Sequence, residues 1–312
     1  MYAGVRLGGA TASDEAFGLV GDVAAHVDGR MFVLDVLMNR VSVFARDGRK
    51  LGSFGGPGRG PGEIDVPAAL AVDTRGRVYV LDRGNVRINV YEGQEGDLAP
   101  VAPLPLDFNA EDLCLADGRL YALGERNGML IHELSPNTGG VVRSFAPDAA
   151  AREPVMRGAR SNGYLGCADG RNELVFLPTL LPEVRRHDTR TGALLGTDTI
   201  PGYRAVRIRR LGGGVAFEGP KDGPHHVGAG VIPINTSHWL VQTAFARPGA
   251  QSLHELESVR SYLVSPRTGV QEVKGAHPRL VSARGRRAFR TDTDPYPLVE
   301  VVDLRPEPGA KP

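Results

Sequence analysis

Apolar residues in this chain come in short runs, separated by small clusters of Gly, Asp, Asn and Pro. The first clear set is 19–27, 30–34, 40–44 and 50–54. Asp28-Gly29 and Asp47-Gly48 stand between runs, and Asp-Gly flanked by apolar residues is a strong hairpin signal. A 3.6-residue apolar period appears over no useful length. The pattern predicts four short antiparallel strands and no helix.

The set then repeats. Gly29-Arg30-Met31-Phe32-Val33-Leu34-Asp35, followed by Asn39-Arg40-Val41, returns as Gly76-Arg77-Val78-Tyr79-Val80-Leu81-Asp82, followed by Asn85-Val86-Arg87. Asp35 and Asp82 are 47 residues apart. A four-stranded unit of that period is the signature of a β-propeller blade. Continuing the pattern predicts an all-β propeller of six four-stranded blades at about 19–55, 67–106, 107–146, 161–200, 227–273 and 279–304. Strand 3–7 completes the last, so the N- and C-terminal strands close one blade and the whole chain, 1–312, forms a single domain. The stretch 203–226 is irregular, and reading it as a blade gives seven as the alternative count. Gly124 stands where the third unit should carry Asp.

Composition adds little to this. The 312 residues are 41% hydrophobic and 23% charged, with a formal net charge of +1, which argues against a protein built to hold a polyanion. Only four of the 37 basic residues are lysine, at 50, 221, 274 and 311. No run of about 18 apolar residues marks a transmembrane helix. No apolar stretch of signal-peptide type follows Met1, so the chain as written reads as cytoplasmic, or as extracytoplasmic if an export signal precedes Met1. Cys114 and Cys167 each precede an Ala-Asp-Gly turn and have no metal-ligand spacing. They read as buried free thiols, because a disulfide needs Cα atoms within about 7 Å, which neighbouring blades do not usually allow.

The run Asp82-Arg83-Gly84-Asn85-Val86-Arg87-Ile88-Asn89-Val90-Tyr91 resembles the core of the NHL repeat, and the Gly-rich stretch 55–63 with Pro67 resembles its linker. The whole chain resembles the NHL-like six-bladed propellers of bacteria, many of them exported. That resemblance implies a binding face and no particular chemistry, because such propellers include lyases, sensor domains and protein- or RNA-binding modules.

Candidate chemistry is sparse. Asp35 with Arg40 and Asp82 with Arg87 repeat with the fold and read as structural, since a catalytic group is needed once. The Gly-rich loop lacks the Lys and the helix of a phosphate-binding loop. No nucleophile motif is present, so no catalytic residue is assigned and no cofactor is expected. His225, His226 and His238, with His254, are the weak metal alternative, on the analogy of lyases that hold a metal at the channel mouth. Two arginine clusters remain as binding candidates: Arg204, Arg207, Arg209 and Arg210, then Arg284, Arg286 and Arg287, with Arg290 beside them. The expected function is a non-enzymatic scaffold that binds a protein or small ligand on one face, as an accessory subunit of a larger assembly. A channel-centred metal-dependent hydrolase or lyase is the alternative, and RNA binding through the arginines the second. With 6% aromatic residues and no RNA-binding aromatic motif, nucleic acid is disfavoured.

Overall fold

The computed structural model describes residues 4–9, 16–148, 162–212, 214–221, 223–246, 256–275, 277–293 and 296–304. Six antiparallel sheets stand around a central channel. Blade 1 is Val20–Ala25, Met31–Asp35, Arg40–Phe44 and Lys50–Gly55. Blade 2 is Pro67–Val72, Val78–Asp82 and Arg87–Gln94, with Asp97–Pro100 and Leu104–Pro105 both pairing with its third strand. Blade 3 is Asp112–Ala116, Arg119–Arg126, Met129–Leu134 and Val141–Pro147, and blade 4 is Gly163–Gly166, Glu173–Pro178, Glu183–Asp188 and Leu194–Thr199. Blade 5 is His225–Pro233, Trp239–Ala246, Leu256–Ser265 and Gly269–Val273. Blade 6 is Leu280–Arg284, Arg287–Asp292 and Leu298–Asp303, and Arg6–Leu7 supplies its outer strand.

The ring therefore has six blades, not seven. Arg207–Leu211 and Gly214–Glu218 pair only with each other, as a separate hairpin between blades 4 and 5. Residues 225–226 of the irregular stretch belong to the inner strand of blade 5.

Burial changes from the axis outward, and the reason is the stacking of sheets face to face. Second strands are covered on both sides by neighbouring blades, so Met31–Asp35 and Val78–Asp82 are buried throughout and read as continuous apolar runs. Inner strands such as Val20–Ala25 are only partly buried, because they border the channel. Outer strands such as Leu194–Thr199 are largely exposed. The cores are layers between blades. Phe32, Leu34 and Val41 pack on Leu70, Val78 and Tyr91, and Tyr79 and Ile88 pack with Leu113 and Leu120. Leu7, Phe289 and Val299 pack on Val20, Val23 and Met31.

The repeated Asp and Arg tie blades 1 and 2 to the connections that enter them. Asp35 is fully buried and accepts hydrogen bonds from the N–H groups of Gly18, Leu19, Leu37 and Met38. Asp82, also buried, accepts from the Asp65 N–H and from the side chains of Asn85, Asn89 and Arg87. Arg87 further donates to the carbonyls of Arg59, Gly60 and Glu63, so it clamps the Gly-rich linker. Arg40 donates to the Ala16 carbonyl, on the segment leading into blade 1. In blade 3 a side chain at Gly124 would run into the Asn109 carbonyl at 2.4 Å and the Phe108 ring at 2.9 Å. The missing Asp is thus a packing requirement. His132 donates instead to the Gly124 carbonyl at 2.9 Å.

Cys114 and Cys167 are not free thiols: they form a disulfide, with Cα atoms 5.9 Å apart. The sequence reading kept neighbouring blades too far apart. Inner strands converge on the axis, and at blades 3 and 4 the Asp112 carboxylate already accepts a hydrogen bond from the Leu165 N–H at 2.7 Å. Two residues further along each strand, Cys114 meets Cys167. The bond closes a loop with a sequence separation of 53, which in the chain-entropy model stabilises by about 4 kcal/mol. Urea denaturation of the Cys114→Ser/Cys167→Ser variant is expected to show a loss approaching that size, matched by reduction of the wild type. Equal midpoints with and without the bond would refute the staple role.

Candidate functional site: the central channel

The inner strands of all six blades line one channel cavity of about 1050 Å³. Its two ends differ because every inner strand runs the same way, from the face where linkers arrive to the face carrying the Asp-Gly turns.

Inside, polar side chains come from blades 1, 3, 4 and 6. Asp22 pairs in register with Leu34, Asp112 with Leu123 and Tyr164 with Leu177, so all three occupy the same level of their blades. Arg279 enters from blade 6 and donates to the Ala229 carbonyl at 3.3 Å. Asp22 accepts from the N–H of Val23 and, across the blade junction, from that of Leu70. Asp112 accepts from Leu113 and from Leu165 in the same way. The corresponding junction of blades 5 and 6 uses Gln242, whose Oε1 accepts from the Leu280 N–H.

Burial raises the Asp22 carboxyl to about 7, against the opposing pull of its backbone donors and of Arg279. Asp112 rises to about 8, again through burial first, with the nearby Asp22 charge adding to it. The same surroundings raise the Tyr164 hydroxyl. At neutral pH the channel wall thus offers carboxyl groups that are wholly or partly protonated.

At the turn end the channel opens among arginines. Arg284 and Arg287 line it from blade 6, Arg286 sits in the turn between them, and Arg46 reaches in from blade 1 over Gly29. Arg171 is buried there, 3.9 Å over the Trp239 ring, and donates to the carbonyls of Asn235 and His238. Arg284 bonds Asp169 of blade 4 at 3.2 Å and the Ala25 carbonyl of blade 1 at 3.3 Å. Asp169 is anchored in turn by the Asp117 N–H of blade 3.

The two arginine clusters lie at opposite ends. Arg207, Arg209 and Arg210 sit on the exposed hairpin at the linker face, where Arg209 pairs with Glu218 at 3.1 Å. Arg204 lies just before that hairpin, its backbone N–H bonded to His226 Nδ1. Arg290 turns away from the mouth and pairs with Glu300. The histidines do not converge. His226 is packed between Tyr203 and Phe245, and burial lowers it to about 4. His225 is its strand neighbour, and His238 lies at the far end of the same blade, beside Asn235. His254 is outside the described residues. Among the described residues, no group of three or more His, Cys, Asp or Glu is placed to hold a metal ion.

Asp22 and Asp112 escaped the sequence reading because no motif surrounds them. A signal existed: each is the one charged residue in an otherwise apolar inner strand, a few positions ahead of an Asp-Gly turn, in two separate units.

The class is a six-bladed β-propeller with NHL-like early blades, and comparisons with known proteins agree. A family described as "6-bladed beta-propeller" matches residues 10–128. The NHL repeat-containing protein 3 of Homo sapiens and that of Mus musculus are each 35% identical over 72 residues, 22% of this chain. The chain spans about a fifth of the length of these relatives, 21%. Among solved structures, a putative exported protein from Bacteroides fragilis NCTC 9343 superposes with a TM-score of 0.64 at 11% identity, over 97% of this chain and 95% of that one. The WD40 repeats of RRP9 give 0.59 at 13% identity, over 97% and 99%. A streptogramin B lyase gives 0.52 at 12%, over 90% and 78%. At these identities the likeness is one of fold.

A pH dependence follows from the channel carboxyls. Their folded values lie above the ordinary carboxyl range, so the stability they lend is full at low pH and is lost as pH rises through about 7 and 8. The buried histidines 132, 187 and 226 are shifted down and act oppositely, but only below about 6.5, where the unfolded histidines take up protons. Between pH 6.5 and 8.5 the unfolding free energy from urea titration should therefore fall, by no more than about 1.4 kcal/mol per pH unit for each carboxyl. Asp112→Asn should flatten that slope. A stability that rises across this window would contradict the assignment.

Proposed function

We propose that this protein is a non-enzymatic binding module that receives its ligand in the central channel. The observation that carries this reading is the channel itself: one cavity walled by all six blades, with side chains of several kinds converging from different strands. Loops and turns on a rigid ring are well suited to binding, because the frame holds them without a folding cost at the moment of association. The Cys114–Cys167 disulfide fits maturation in an oxidising compartment, which supports an extracytoplasmic setting. The separation of the arginine clusters weighs against RNA, since a polynucleotide track needs a continuous basic surface.

A second reading, a channel-centred hydrolase or lyase, is favoured by one observation. Asp22 and Asp112 are carboxyls with raised proton affinity beside Arg279 and Tyr164, a set able to hold and move a proton near neutral pH. The fold shared with a streptogramin B lyase is compatible with it. Against it, each carboxylate already spends its oxygens on two backbone donors.

A small-molecule library screened by thermal shift separates these readings. Binders should stabilise the wild type and lose that effect in Ala24→Trp, which fills the channel from blade 1. Binding that persists in this variant, or no binder at all, would remove the channel from the proposal. Turnover on a lactone and ester panel that disappears in Asp112→Asn would establish the enzyme instead.

A further inference from the structure

The geometry points to the turn-side mouth of the channel as a receiving site for an organic anion, a carboxylate or a phosphate ester, with the Arg284–Asp169 pair as an internal stand-in for it. This inference rests on the channel being the binding site, and it names the ligand class and the end from which it is held.

Three observations support it. First, the Arg284–Asp169 contact is not between neighbours. Arg284 belongs to blade 6 and Asp169 to blade 4, so the 3.2 Å bond passes in front of blade 5 and lies across the mouth. Both side chains remain partly open to solvent, at 31% and 42%. A carboxylate in that position shows that the mouth accommodates a planar anion against a guanidinium.

Second, cations outnumber anions among the side chains lining the mouth. Arg46, Arg284, Arg286 and Arg287 line it, with Asp169 as the acid among them. Arg286 has a distant partner, Asp303 at 3.6 Å, on its outer side. The turn aspartates nearby are spent on their own surroundings: Asp28 on His26 and Arg30, Asp73 on the N–H groups of Arg75 and Arg77, and Asp117 on the N–H of Gly170. A guanidinium matches carboxylate or phosphate oxygens two at a time.

Third, the wall behind the mouth suits the rest of such a molecule. Ala24, Leu115 and Val281 give apolar surface, and Asp22 and Asp112, which burial pushes toward their protonated forms, lie deeper. An anion arriving at the mouth would take Arg284 from Asp169. Asp169 would keep its bond to the Asp117 N–H, so the exchange leaves no buried charge unpaired.

The test is calorimetric titration of the full chain with citrate and, separately, with inorganic pyrophosphate, at low ionic strength. The two arms tell carboxylate from phosphate selectivity. At least one should bind. Arg286→Glu/Arg287→Glu should weaken it at least tenfold. Asp169→Asn, which frees Arg284, should tighten it severalfold, and this gain is not what mere structural damage produces. Arg207→Glu/Arg209→Glu, on the distant hairpin, should stay within twofold. If the double reversal fails to fold, Arg284→Gln replaces it with the same expectation. Equal binding across the variants, weaker binding in Asp169→Asn, or no binding of either anion would overturn the inference. Uncharged binders that are lost in Ala24→Trp would show that the channel reading survives such a failure.

Discussion

The whole architecture depends on a ring being closed by two residues. Arg6 pairs with Glu300 and Leu7 with Val299, so the N-terminal strand becomes the outer strand of the C-terminal blade. The contact works in two directions. Along the sheet it covers the middle of the Leu298–Asp303 edge, at Val299 to Val301, whose N–H and C=O groups would otherwise face solvent or another chain. Across the sheet it puts Leu7 into the layer shared with Val20, Val23 and Met31 of blade 1. A propeller blade cannot bury both faces alone, because each face needs a neighbour. Closure gives blades 6 and 1 that neighbour, and so holds the channel at a defined width.

Closure also explains why the axis is where chemistry collects. Second and third strands are enclosed between blades, and polar side chains buried there, such as Asp35, Asp82, Asn89 and His132, are spent on contacts within the fold. The inner strands are forced close together, within reach of a single carboxylate: Asp22 reaches Leu70, and Asp112 reaches Leu165. The same approach lets Cys114 and Cys167 bond. At the equivalent step between blades 1 and 2 the chain has Ala24 and Val72, an ordinary apolar pair. The covalent link thus reinforces one junction of a series otherwise held by hydrogen bonds and packing.

This distinction sets what could be read from the sequence. Blade 1 was legible down to individual strands and blade 2 as a unit, since their Asp, Arg and turn residues recur with the repeat. The closing strand was legible because counting strands leaves one missing. The disulfide and the Asp22, Asp112, Tyr164 and Arg279 set were not, because each depends on distances between blades, which no local pattern encodes. Gly124 shows the reverse case. It breaks the repeat, and the reason is packing: the Phe108 ring and the Asn109 carbonyl leave no room for a side chain.

The arginine clusters carry the same lesson to function. By sequence they are alike, four basic residues within a few positions each. The fold gives them different settings. The hairpin arginines are exposed on a two-stranded unit that pairs with no blade, where screening makes each charge worth little. Arg284, Arg286 and Arg287 stand at the rim of a cavity whose walls are largely protein, and there the field of several guanidinium groups is focused on one opening. What turns a common surface feature into a candidate site is therefore its position on the axis. That position is fixed by the six inner strands, and they are held in turn by the two-residue closure.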